Sequence, residues 1–154
     1  MKFNLKRFLF ITILTFAIGG VFALLTKSGM DSYMKLDKPI EVPKIVFPIV
    51  WSILYLLMSI SYYMISSNDI NNNASQKIIY WVQLVFNSLW TLIFFGIKNY
   101  LFAFIWLLIL LVLIVVMIVK FYKLNKKAGL IQIPYLLWVV FAGYLNLGIY
   151  LLNR

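Results

Sequence analysis

Pro134 to Asn153 reads PYLLWVVFAGYLNLGIYLLN. At ~1.5 Å of rise per residue, a helix of about 20 apolar residues is as long as a bilayer's hydrocarbon core is thick. The stretch is therefore read as a membrane span. It is not uniform. Trp138, Ala142, Leu145, Asn146 and Ile149 recur at helical spacing and share one face. That face carries a large ring, small residues beside it (Ala142 and Gly143) and an amide. An amide in hydrocarbon has to point inward, where it finds a partner. The face is either a close helix contact or the wall of a pocket.

The same character runs through the whole chain of 154 residues, 64% of them hydrophobic and 12% charged. A soluble domain of this size cannot bury so much apolar surface, so an integral membrane protein in contact with lipid is indicated. Lys and Arg number 14 against 4 Asp and Glu. In a membrane protein such an excess lies in the loops and sets orientation, so no nucleic-acid partner is inferred. The chain has neither Cys nor His. It has no thiol nucleophile, no thiolate or imidazole metal site, and none of the usual axial ligands of haem iron except Met and Tyr. No carboxylate falls inside a predicted span, which speaks against a proton-coupled pump.

Hydropathy predicts an all-α integral membrane protein, a single bundle of five transmembrane helices spanning about 8–25, 45–65, 78–97, 101–119 and 130–152. The first span is read as a retained helix; the alternative is a signal peptide cut near Val21 and Ala23. The loop at 26–44 holds Pro39 and Pro43 and is predicted extended or turned. Its length suggests function. In the second span Phe47, Trp51, Tyr55, Ser59 and Tyr62 make one stripe, with Trp51 and Tyr55 deep enough to face a pocket. Before the third span Asn73 is predicted to cap the helix, with Gln76 completing a capping box. Gln83, Asn87 and Thr91 then form a polar face flanked by Trp90 and Phe94, read either as hydrogen-bonding glue or as ligand contacts. The fourth span is almost purely aliphatic and is predicted to be the most exposed to lipid. Eight basic residues fall on the N-terminal side of the membrane and six on the other, which predicts a cytoplasmic N-terminus and an external C-terminus.

Four blocks carry a family resemblance: VFPIVWSILYLLM (Val46 to Met58), QLVFNSLWTLIFFG (Gln83 to Gly96), PYLLWVVFAGYLN (Pro134 to Asn146) and the loop YMKLDKP (Tyr33 to Pro39). In this order they make the chain resemble, over essentially its whole length, the translocator protein family, also called tryptophan-rich sensory proteins or peripheral-type benzodiazepine receptors. The departures are a loop, KPIEVPK, with a single Pro43 and no Trp, and Phe102 where many members have Trp. The resemblance implies a five-helix bundle, commonly a homodimer, in this case of a bacterial plasma membrane. It implies a receptor or sensor whose ligands are porphyrins such as protoporphyrin IX or haem, sterols in some members, and other flat apolar molecules, with no cofactor required. Matched by motif, Trp51 and Trp138 are the pair facing the ligand. Phe47, Tyr55, Asn87, Ala142 and Leu145 match further pocket positions, and Tyr33 a loop position above them. Gln83, Trp90 and Asn146 are structural or belong to a secondary pocket. The resemblance leaves two alternatives open: light- and oxygen-dependent porphyrin breakdown, with Trp51 and Trp138 as the reacting pair, or transport of a tetrapyrrole or sterol. Leu147 to Arg154 also fits a loose cholesterol pattern, although Tyr and Arg are ordinary anchors at a membrane edge. Trp51, Asn87 and Trp138 are expected to converge on one cavity opening beneath Tyr33 to Pro43.

Overall fold

The computed structural model describes residues 3–66 and 73–154, so most of the Asn-rich loop lies outside the described residues. Five helices are long and apolar enough to cross a membrane. They are α1 (Leu5–Leu25), α3 (Val46–Ser66), α4 (Ala74–Thr91, continued by a π-helical turn Leu92–Ile97), α5 (Tyr100–Leu124) and a fifth span made of α6 (Lys126–Ile131) and α7 (Ile133–Leu152). A short helix, α2 (Lys27–Met34), lies between the first two spans. The protein is an all-α integral membrane protein. Asn side chains start three of the helices: Asn4 accepts from Arg7 N–H, Asn99 from Phe102 N–H, and Asn125 from Lys127 and Ala128 N–H.

Three details differ from the sequence expectation. The loop at 26–44 is half helical. X-Pro restriction acts only on Lys38 and Val42, and leaves Lys27–Met34 free to coil. Asn73 precedes α4, but its side chain makes no capping bond; the amide donates to Ile65 O at 3.0 Å and ties α4 to the end of α3. The helix most exposed to lipid is α1, with 17% of its apolar window buried, rather than α5 with 28%. The aliphatic α5 buries Ala103, Leu107, Leu110, Ile114, Met117 and Phe121 on one stripe, which its all-round apolar sequence conceals.

Helix α5 packs against α4, α6 and α7, while α1 packs on α3 and α4. Polar side chains join these helices. Thr15 and Tyr80 share a 2.7 Å hydrogen bond, Ser88 Oγ donates to Ile18 O at 3.0 Å, and Ser61 Oγ donates to Ala128 O at 2.7 Å. The first two contacts tie α1 into the bundle.

The chain between α1 and α3 is pinned at several points. Gly29 of α2 sits directly on the π-helical turn: a Cβ there would lie 2.2 Å from Phe95 O. Lys98 Nζ donates to Ser32 Oγ at 3.1 Å. Lys38, its side chain almost fully buried, donates to the carbonyls of Tyr33, Met34 and Leu36 and so closes the C-terminus of α2. Further on, Asn153 accepts from Asp37 N–H and donates to Asp37 O, and Pro39 packs on Gly148.

Gly29→Ala should therefore lift α2 off the π-helical turn. We expect a loss of about 1–3 kcal/mol of stability, the usual cost of overpacking, seen as a lower melting temperature in detergent. Gly20→Ala is the matched control, because an added Cβ there meets nothing within 4 Å. It should leave the melting temperature unchanged or raise it.

Candidate ligand-binding cavity

Helices α1, α3 and α4 do not close on one another at the α2 end. They leave a cavity of about 350 Å³. Its depth follows from two adjacent glycines. Gly19 is seated against the Tyr55 ring, so close that a Cβ would stand 2.3 Å from it, whereas Gly20 faces open space. Above them the walls are Phe47, Trp51 and Tyr55 of α3 and Trp90, Thr91 and Phe95 of α4. From Phe47 to Tyr55 the wall runs ~12 Å along the helix axis at ~1.5 Å per residue. At the α2 end the lining is completed by the buried Thr26, by Met30 and by the exposed Lys27 and Lys44, which we take as the mouth.

The walls are aromatic, and the polar atoms of Tyr55, Trp90 and Thr26 are bonded within the protein. Trp51 stacks on Tyr55 with ring centroids 5.5 Å apart and planes at 30°. The Tyr55 hydroxyl accepts from Asn87 Nδ2 at 3.4 Å. Trp90 Nε1 donates to Asn146 Oδ1 at 3.2 Å, and Asn146 Nδ2 donates to Tyr100 O at 2.7 Å. Thr26 Oγ1 donates to Phe22 O at 2.7 Å. A π-helical turn carries an extra residue compared with an α turn. Here Phe94 turns inward against Tyr100, with centroids 5.1 Å apart, while Phe95 lines the cavity.

Of the residues singled out from sequence, Phe47, Trp51, Tyr55 and Trp90 come together on the cavity wall. Asn87 stands behind Tyr55, 1% exposed, with Oδ1 unpartnered among the described residues. Trp138 is not on this wall. It is half-buried and meets Phe47 at 6.2 Å. Ala142 and Leu145 lie below it on α7, also off the wall, and Leu145 is 5% exposed. Tyr33 is buried among Phe47, Phe94 and Phe95, with the Lys38 ammonium 5.1 Å from its ring centre. Gln83 faces a different part of the interior and accepts from the Tyr135 hydroxyl at 2.7 Å. Trp51, Asn87 and Trp138 therefore do not share one wall. The mouth lies at Thr26–Met30 and Lys44, on either side of the expected Tyr33–Pro43 segment. The sequence reading missed Gly19, Gly20, Lys27, Met30 and Lys44. The Gly19–Gly20 pair inside an apolar span was the available signal. Among the described residues no three His, Cys, Asp or Glu side chains gather as a metal site.

The charged rim sits outside the hydrocarbon. Lys44 Nζ bonds Asp31 Oδ1 at 3.0 Å, which holds the Asp31 carboxyl below the usual carboxylate range. Burial, assisted by the nearby Glu41, pushes the Tyr33 phenol up to about 12.

Residues 10–152 match the model of the TspO/MBR family. The chain is 32% identical over 152 residues to the "Tryptophan-rich protein TspO" of Archaeoglobus fulgidus, covering 97% of this chain and 99% of that one. It is 33% identical over 122 residues to the "Tryptophan-rich sensory protein" of Cereibacter sphaeroides, covering 79% of this chain and 76% of that one. It is 28% identical over 123 residues to the "Translocator protein" of Bos taurus, covering 77% and 72%.

Among the described residues the Tyr33 hydroxyl is buried without a partner. Tyr33→Phe should leave stability at pH 7 unchanged or slightly raised. The folded-state pKa is raised, so the stabilising preference for the neutral phenol is complete below pH 10 and is lost as pH rises from 10 to about 12. Melting curves across that window should fall less steeply for Tyr33→Phe than for the unsubstituted protein; equal slopes would count against the assignment.

Proposed function

Because the chain belongs to the TspO/MBR family, we propose that it is a membrane receptor or sensor that binds porphyrins and similar flat, mostly apolar molecules in the cavity between α1, α3 and α4. The observation that carries this reading is the wall itself: the stacked Trp51–Tyr55 pair on α3 opposite Trp90 on α4, with the Trp90 indole N–H held by Asn146 and the Tyr55 hydroxyl engaged by Asn87. Such a surface takes a π-system by stacking, at roughly 0.5–1.5 kcal/mol per aromatic pair beyond area burial. About 350 Å³ lies near the lower end of the ~300–1,000 Å³ range of small-molecule pockets. On this reading a macrocycle is gripped along one side and its remainder stands at the mouth. Trp138, packed on Phe47, supports the wall and joins it if Phe47 turns.

With no His or Cys in the chain, and Met30 the one thioether among the described residues of the cavity lining, we infer that a porphyrin's iron gains little on binding. The lysine distribution supports an N-terminus on the cytoplasmic side of a bacterial plasma membrane, and the family resemblance supports a homodimer.

Titration of the protein in lipid nanodiscs with protoporphyrin IX and with haem, followed by tryptophan quenching, tests the reading. The two should bind within about threefold of each other. Haem binding a hundredfold tighter, worth ~2.8 kcal/mol at ~1.4 kcal/mol per tenfold, with a six-coordinate spectrum, would show that a protein ligand reaches the iron. Gly20→Trp places a large ring in the cavity without displacing a neighbour at Cβ. It should abolish binding of both while the melting temperature is kept; undiminished binding would put the site elsewhere.

A further inference from the structure

The cavity is apolar except at its mouth, where two of the lining residues are lysines, Lys27 and Lys44. They are not equivalent. Lys44 is paired with Asp31 at 3.0 Å. Among the described residues the Lys27 side chain makes no hydrogen bond and no ion pair; it reaches Asp31 only through space, as Lys35 also does. The two lysines of the rim thus face one paired carboxylate, and the rim stays cationic after pairing. Directly below it, Phe47, Trp51 and Trp90 leave no acceptor turned toward the cavity. A wholly uncharged ligand needs no such rim.

We propose that Lys27 is a specificity-determining residue, and that the cavity selects flat apolar molecules bearing a carboxylate at one edge, held with the ring inward and the acid at the mouth. This rests on the cavity being the ligand site, as in the proposed function, and adds the orientation and the charge of the ligand. Lys44 is a second cation kept in check by Asp31. An ammonium at the mouth meets the acid where water is still present, so neither charge is stripped bare and the pair adds affinity without a large desolvation penalty. The same ammonium could instead rest on a lipid phosphate, and the test separates these two anions.

The measurement compares protoporphyrin IX with its dimethyl ester, which has the same ring and no charge. A second pair, pyrenebutyrate and pyrenebutanol, has a four-ring apolar body and no tetrapyrrole chemistry. Binding is read in nanodiscs of zwitterionic lipid, with empty nanodiscs as the partition reference. The acid-over-neutral preference should be about tenfold, equivalent to ~1.4 kcal/mol. It should largely vanish in Lys27→Met, persist in Lys27→Arg, shrink at high salt, and grow several-fold in Asp31→Asn, which releases Lys44. Lys27 is exposed and unbonded, so Lys27→Met should melt as the unsubstituted protein does. A preference that is absent, or that Lys27→Met leaves intact in both pairs, overturns the proposal and assigns Lys27 to the lipid surface. If neither porphyrin binds but pyrenebutyrate is still preferred through Lys27, the charge selection stands and the tetrapyrrole reading falls.

Discussion

One amide holds three spans of this protein together. Asn146 on α7 accepts from the Trp90 indole on α4 and donates to the Tyr100 carbonyl at the start of α5. Hydrocarbon offers no alternative partner, so each end of this bridge constrains the others. The consequence reaches the cavity. With its N–H drawn toward Asn146, Trp90 presents its ring to the space between the helices. Asn87 acts in the same way on Tyr55 from behind. The polar atoms of the bundle thereby do two things at once: they join helices, and they engage the polar atoms of Trp90 and Tyr55, which leaves a mainly aromatic lining.

A second constraint is close backbone approach. Gly19 admits the Tyr55 ring, and Gly29 lets α2 rest on the Phe95 carbonyl. The first sets the depth of the cavity and the second fixes its roof. The π-helical turn Leu92–Ile97 connects the two, because Phe95 both lines the cavity and supports α2. Stability of the cover and shape of the site thus depend on the same few residues. Beyond α2 the chain is held to the far end of α7 by Asn153 and Gly148, which leaves Lys27 and Lys44 on the open side.

Hydropathy made the five spans legible, and the cost of a polar group in lipid made the inward direction of Gln83, Asn87 and Asn146 legible. The partners were not, since Gln83 with Tyr135 and Asn146 with Trp90 are pairings between distant segments that helical spacing does not encode. Helix α2 was hidden because KSGMDSYM has weak helical propensity and includes a glycine; its order comes from packing on Phe95 and from Lys38. The buried face of α5 was hidden by uniform apolarity, and Gly19–Gly20 by the commonness of glycine in membrane helices. Trp138 was legible as an inward residue, yet spacing within α7 could not say that it packs on Phe47 and not on the cavity wall.

The central claim is that the ligand sits between α1, α3 and α4, enclosed by Trp51, Tyr55 and Trp90. Nickel protoporphyrin IX is four-coordinate and needs no protein ligand, so its metal reports position alone. Anomalous diffraction from crystals of this complex, collected at the nickel edge, locates that metal directly. The account predicts one peak per chain over the Trp51–Tyr55 stack, on the α1 side of α3. A peak between α3 and α7, beside Trp138 and Ala142, or on the lipid-facing surface, would contradict it.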